Sequence, residues 1–202
     1  MKTNFNPLTH GYKFANRFEF KGLKKISNLI KNRLIYGMCG GMVFTALDHY
    51  FDQKNVPKFS IPTEIPVNYT KYLWKRQRQS VSFSIFLKIF AYALLPERFV
   101  IRRSIQEELP KIIFRLSDNL PVPLIIVRSN LFQNPTHNHQ VLVTQLEENE
   151  NEVNMGLYDP NHPSLLPKIC VDKKNFHIFQ STGEHVRGFF VNKYKYQSTQ
   201  GD

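Results

Sequence analysis

The segment Tyr36-Gly37-Met38-Cys39-Gly40-Gly41-Met42 places a thiol between glycines at the start of a helical pattern. Val43, Leu47, Tyr50 and Phe51 follow near the helical period, so a helix is expected over 40–52 with Cys39 at its head. The N-terminus of a helix carries about half a positive charge, which favours thiolate over thiol. The glycines leave room for a substrate to reach the backbone. A cysteine so placed could be a nucleophile. The competing reading of the segment alone is a small buried apolar residue, a common fate of free cysteine.

A thiol nucleophile needs a base, and the base needs a group that orients it. Asn138-His139-Gln140-Val141-Leu142-Val143 offers a histidine at the head of an apolar strand. Glu147 to Asn151 reads as a polar turn, and Val153 to Asp159 alternates as a half-buried strand should. Folding these into an antiparallel hairpin centred on Asn149 sets His139 opposite Asp159, Val141 opposite Leu157 and Val143 opposite Met155. Cross-strand partners lie within side-chain reach, and a slip of one residue would send the pair to opposite faces. Asp159 would then fix the tautomer of His139. His139 would take the proton of Cys39, and the thiolate would attack an amide carbonyl to form a thioester that water opens. An oxyanion at that carbon needs two donors. The backbone N–H of Cys39 is one; Asn32 and Asn16 are candidates for the other. His137 and His162 compete with His139 less well, since His137 loses the pairing with Asp159 and His162 follows Pro160-Asn161 in a turn that suits a structural role, and a Cys–His–His metal site has no diagnostic spacing here.

The order of cysteine, strand-head histidine and following aspartate resembles that of papain-like cysteine peptidases. More specifically, the chain is similar to a poorly characterised group of bacterial papain-like proteins related to the peptidase domains that process bacteriocin leaders. The strings that carry the resemblance are Phe14 to Phe18, Tyr36 to Asp48 with Tyr50-Phe51, Tyr72 to Gln77, Asn138 to Leu142, Tyr158-Asp159-Pro160-Asn161-His162-Pro163, Ser181 to Glu184 and Arg187 to Val191. They run from Phe14 to Tyr194. The resemblance implies a papain-like fold with a Cys39–His139–Asp159 triad and a protein or peptide substrate. It departs from papain at the position six before the cysteine, where papain-like enzymes carry glutamine and this chain has Arg33. Asn16 is taken as the second oxyanion donor, because its segment belongs to the matching strings. The expected activity is a cysteine peptidase or amidase. The alternatives are an acyl transferase or deamidase using the same triad, and a binding or scaffold protein that keeps the fold without the activity.

The elements that must position these residues also read from the pattern. Residues 1–20 are expected to be an irregular arm with an aromatic cluster at Phe14, Phe18 and Phe20, and 23–33 a short basic amphipathic helix. Pro57, Pro62 and Pro66 punctuate a loop over 55–68. Helical patterns follow at 69–80, at 81–95 and from Ile105 to Asn119, where Pro110 interrupts. In the second, Phe83, Phe86, Leu87, Phe90 and Leu94 form a stripe expected to be core. Strands follow at Pro123–Arg128, at the His139 and Val153 segments, within 167–179 beside a turn or helix, and at Gly188–Asn192; Cys170 is expected to be a buried strand residue. Helices first and an antiparallel sheet second is an α+β layout, a single domain over 1–202 with a helical part at about 14–120 and a sheet part at about 121–195.

The 202 residues, 42% of them hydrophobic and 13% aromatic, suit a chain with a packed core. Cys39 and Cys170 give neither a disulfide framework nor metal-ligand spacing, and no cofactor is expected. The polar first ten residues lack the apolar core of a secretory signal, and the stretch from Val81 to Leu95, broken by Lys88, is too short to span a bilayer. A cytoplasmic setting is the default expectation; export by a signal-independent route would leave no mark in the sequence. Charge is uneven. Residues 1–103 hold 18 Lys and Arg against 5 Asp and Glu, a net +13, whereas 104–202 hold 9 against 11, a net −2. The basic half could make a weak contact with an anionic surface or be an ordinary solvated face. No nucleic-acid module is legible.

Overall fold

The computed structural model describes residues 1–19, 35–130, 132–133 and 137–199. The basic helix expected over 23–33, Phe20 and Asn32 lie outside these residues. In order, the elements are α1 (Pro7–His10), β1 (Phe18–Glu19), β2 (Ile35–Tyr36), α2 (Cys39–Phe51), α3 (Val67–Ser80), α4 (Phe83–Leu94), α5 (Glu97–Arg103) and α6 (Leu109–Ser117). Six strands follow: β3 (Val122–Val127), β4 (His139–Glu148), β5 (Glu152–Tyr158), β6 (Lys168–Asp172), β7 (His177–Gln180) and β8 (Gly188–Val191). They form one antiparallel sheet in the order β7-β6-β5-β4-β3-β8, curled into a half-barrel with the N-terminal helices packed on it. The fold is α+β, and its plan is consistent with papain-like architecture.

Three apolar clusters join the layers. Leu124, Ile126, Val141 and Val143 on one face of the sheet pack with Ile101, Leu109, Ile112 and Leu116 from the helices. On the other face Leu142 and Tyr158 meet Met42, Val43 and Leu47 of α2. Ile125, Val127 and Phe190 meet Ile85 and Tyr92 of α4. Because β3 is covered on both faces, it is a continuous apolar run rather than an alternating one.

α2 is buried on every side from Gly40 to His49. It lies between the sheet, α3, the N-terminal aromatics Phe5, Tyr12 and Phe14, and the C-terminal tail. Gly40 and Gly41 serve this packing. A Cβ at Gly41 would sit 2.5 Å from the carbonyl oxygen of Leu73, and one at Gly40 would sit 1.9 Å from Ser80 Oγ and 2.8 Å from Gln140 Oε1. These two glycines therefore seat α3 and β4 against α2 and do not admit substrate, which corrects the expectation for them.

Other expectations change in detail. The third helical segment begins at Glu97 rather than Ile105 and runs to Ser117 through a π-helical turn at Ser104–Glu108. There the Leu109 N–H donates to Ser104 O, and the widened turn carries the chain past Pro110, which has no N–H to give. Within 167–179 the expected strand and turn are both present, but a second strand takes the place of a helix: β6 and β7 pair across a turn at 173–176. Cys170 is half-buried, not buried. The arm is not wholly irregular, for Lys2 bridges to Gln145 at the edge of β4.

The β4–β5 register departs from the expected one. Leu142 faces Tyr158 and Val143 faces Leu157, while beyond a bulge at Thr144 Leu146 faces Met155 and Glu148 faces Val153. The turn lies one to two residues later than Asn149, whose side chain accepts from the N–H groups of Asn151 and Glu152. Near the site the pairing is displaced by two residues, so His139 and Asp159 are diagonal rather than directly opposite. A shift of two preserves the face on which each side chain lies, which is why the pair still meets. The bulge is held from outside: Thr3 N–H and Oγ1 both donate to the carbonyl oxygen of Thr144.

The apolar stripe of α4 is the largest departure. Ile85 and Tyr92 are its buried residues, and the opposite face, expected to be core, is exposed.

Candidate active site

Cys39 is the first residue of α2 and His139 the first of β4, while Asp159 follows the last residue of β5. Packing of α2 across the sheet at Leu142 brings the helix start to the strand start. His139 and Asp159 are buried, with His139 Nε2 2.6 Å from Asp159 Oδ1. That bond leaves Nδ1 of the ring for the thiol, and His139, together with the backbone N–H groups of Gly40 and Gln140, acts on the Cys39 sulfur.

The electrostatics follow from these contacts. Burial pushes the Cys39 thiol up, but the His139 hydrogen bond and charge, with the two backbone donors, outweigh it and leave the thiol below its ordinary range. Burial pulls His139 down, but the Asp159 carboxylate and the thiolate win, and the imidazole is pushed up to about 9. Asp159 is raised by burial and lowered more by His139 and by the N–H of Asn161, which donates to Oδ1 at 2.8 Å. The charged forms of all three groups are favoured together, as a thiolate–imidazolium pair backed by a carboxylate requires.

Asn16 stands at the same site. Its Oδ1 accepts from Met38 N–H at 2.5 Å, its own N–H donates to Pro160 O at 2.9 Å, and its Nδ2 donates to Asn161 Oδ1 at 3.1 Å. The side-chain amide occupies the space where a Cβ on Gly37 would go, 2.8 Å from Nδ2, so glycine at 37 is what lets Asn16 reach the cysteine loop. At the head of α2, Asn16 takes the Met38 N–H and Gln77 Oε1 takes that of Gly41 at 2.8 Å. Cys39 N–H, in the first turn, has no intrahelical acceptor. Cys39 lies in the wall of a cavity of about 970 Å³ that Asn16, Gly37, His139 and Gln140 line together with Val81, Phe86, Ile89 and Ile125.

Several supporting residues were not legible in the sequence. Gln180, at the end of β7, donates from Nε2 to Asp159 Oδ2 at 3.1 Å and accepts from Arg128 at 2.8 Å. A buried glutamine in an alternating strand gave a signal, but nothing local said that it faces Asp159. Asn192 Nδ2 donates to Gln140 Oε1 and to Ser80 O, tying β8 to the neighbour of His139. His162 holds Glu184 at 2.8 Å in a turn beside the site, and His137 is exposed on the cavity rim. Cys170 is remote, and burial raises its thiol. Among the described residues no group of three or more His, Cys, Asp or Glu side chains could hold a metal ion.

The structure thus brings Cys39, His139, Asp159 and Asn16 together on a papain-like plan. No protein family, curated protein or solved structure matches this chain.

Proposed function

We propose that the protein is a papain-like cysteine hydrolase that cleaves an amide or peptide bond through a thioester at Cys39. The observation that carries this reading is the Cys39 thiol set beside His139 in one cavity wall, with His139 Nε2 bonded at 2.6 Å to the buried Asp159 carboxylate. In the first step the thiolate adds to the carbonyl carbon. The oxyanion is met by Cys39 N–H and Asn16 Nδ2. The C–N bond breaks as His139 gives its proton to the leaving nitrogen. Water then adds to the thioester with His139 as base, and the C–S bond breaks to release the acid and restore the thiol.

The test is the rate of Cys39 alkylation by iodoacetamide from pH 4 to 9 in a Cys170→Ser background, read by intact mass. The expected result is rapid modification well below the ordinary thiol range of about 8.5, lost in His139→Ala. Equal, ordinary titration of both proteins would sink the proposal. Treatment of the loaded enzyme with a primary amine distinguishes hydrolysis from acyl transfer by the mass of the product.

A further inference from the structure

The exposed face of α4 has no account in the chemistry above. Phe83, Phe86, Leu87, Phe90 and Leu94 recur at three- and four-residue spacings, and each is between 46% and 76% exposed. They form one unbroken apolar stripe over the three turns of the helix, on the side opposite buried Ile85 and Tyr92. Such a face on a water-soluble surface marks an interaction site. The helix carries one charge, Lys88, and that is directed inward to Glu108 at 2.8 Å.

Charge identifies what covers it. From Val67 to Arg103 the chain has eight Lys and Arg against a single acidic residue, Glu97. Arg76 and Lys88 are committed to Asp48 and Glu108. Arg103 pairs with Glu107, while Lys71, Lys75, Arg78, Arg98 and Arg102 remain exposed on the helices before and after α4. Glu97 itself faces Arg187 and His185. An apolar stripe bracketed by cations suits a surface that is apolar within and anionic at its rim. A second copy of the chain would oppose like charges. At 12 residues α4 is too short to cross a bilayer, and among the described residues no helix can.

We infer that α4 lies in the surface of an anionic lipid bilayer, with Phe83, Phe86, Leu87, Phe90 and Leu94 inserted among the acyl chains and the flanking Lys and Arg on the headgroups. This is the geometry of an interfacial amphipathic helix. Phe86 and Val81 also line the cavity at Cys39, so docking sets the mouth of that cavity at the lipid surface. The inference stands on the helix face and its charge and not on catalysis.

The experiment is co-sedimentation of the full chain with vesicles of phosphatidylcholine alone and of phosphatidylcholine with phosphatidylglycerol, at low and high salt, beside the solution mass without lipid. The expected result is a monomer that binds the anionic vesicles and is released by salt. Phe83→Glu with Phe90→Glu should lose binding by at least about tenfold, and Arg98→Gln with Arg102→Gln should lose about fivefold per charge. Both variants change exposed side chains, and an unchanged circular dichroism spectrum confirms that they fold. A wild type that ignores anionic vesicles overturns the inference and leaves the face to a protein partner. So does binding that the Phe variant retains. A dimer that the Phe variant dissolves, without vesicle binding, assigns the face to a second copy.

Discussion

At the scale of single residues, His139 has two partners that pull in the same direction. Asp159 on Nε2 and the Cys39 thiolate both favour the imidazolium, which is why the ring stays charged up to about 9 although it is buried. The signs have a kinetic consequence. Alkylation needs only the thiolate, so its rate should climb through the lowered Cys39 pKa and stay high above pH 9. Amide cleavage also needs the proton on His139, so turnover of a peptide amide should fall again as pH rises through about 9. A profile in which the two rates keep parallel above pH 9 would show that His139 is not the acid. Asn16 is separable from the pair. Asn16→Ala should lower kcat by about 10²–10³ while Cys39 alkylation at neutral pH stays within about twofold of wild type, because the Asn16 side chain bonds Met38 N–H and Asn161 and is not among the groups that shift the thiol. Loss of alkylation in that variant would instead make Asn16 a support of the helix start through Met38 N–H.

At the scale of elements, α2 is set by what its backbone can approach. The Gly41 position faces the Leu73 carbonyl oxygen, a backbone atom that cannot rotate away. Gly41→Ala should therefore push α2 and α3 apart at a cost of about 1–3 kcal/mol, read as a fall in the urea midpoint. Retention of wild-type stability would mean that the helices have slack between them. The β4–β5 hairpin shows how an element can miss in register and still deliver its side chains. The expected pairing centres on Asn149, whereas the turn closes later and the bulge at Thr144 absorbs one residue, leaving a displacement of two at the site. Alternation has a period of two, so faces survive that displacement. The bulge itself is invisible locally, because what holds it is Thr3, over a hundred residues away.

At the scale of the whole molecule, the segment from Tyr194 to Gln197 braces α2. Asp48 of α2 accepts from Tyr72, Arg76, Tyr194 and the N–H of Gln197, and Arg76 Nε lies 2.7 Å from its Oδ2 with both side chains fully buried. Arg76 also lies over the rings of Phe44 and Tyr194. α2, α3 and the tail from Tyr194 are thereby joined at one buried ion pair. Asp48→Ala leaves a buried guanidinium unpaired and should cost about 3–5 kcal/mol, whereas Asp48→Leu with Arg76→Met should cost less than the single change. The comparison by urea unfolding decides the matter: equal losses would mean that the pair contributes nothing beyond its packing.

Much of this site is written in local sequence. The order of helices and strands, Cys39 at a helix start, His139 at a strand head and Asp159 after the next strand all follow from hydrophobic periods and turn residues, which depend on neighbours a few positions away. Tertiary structure decided the rest. It chose the β4–β5 register, gave Gly40 and Gly41 to helix packing, aimed Gln180 at Asp159, and brought Asn16 to Met38 across a gap of 22 residues. It also left the α4 stripe outside. That helix is apolar on two faces, and periodicity can show that a face is apolar without showing which face the sheet will cover; Phe190 and Ile125 met the side with Ile85 and Tyr92. Contacts of this kind join residues far apart in the chain, where no local pattern records which surfaces will meet.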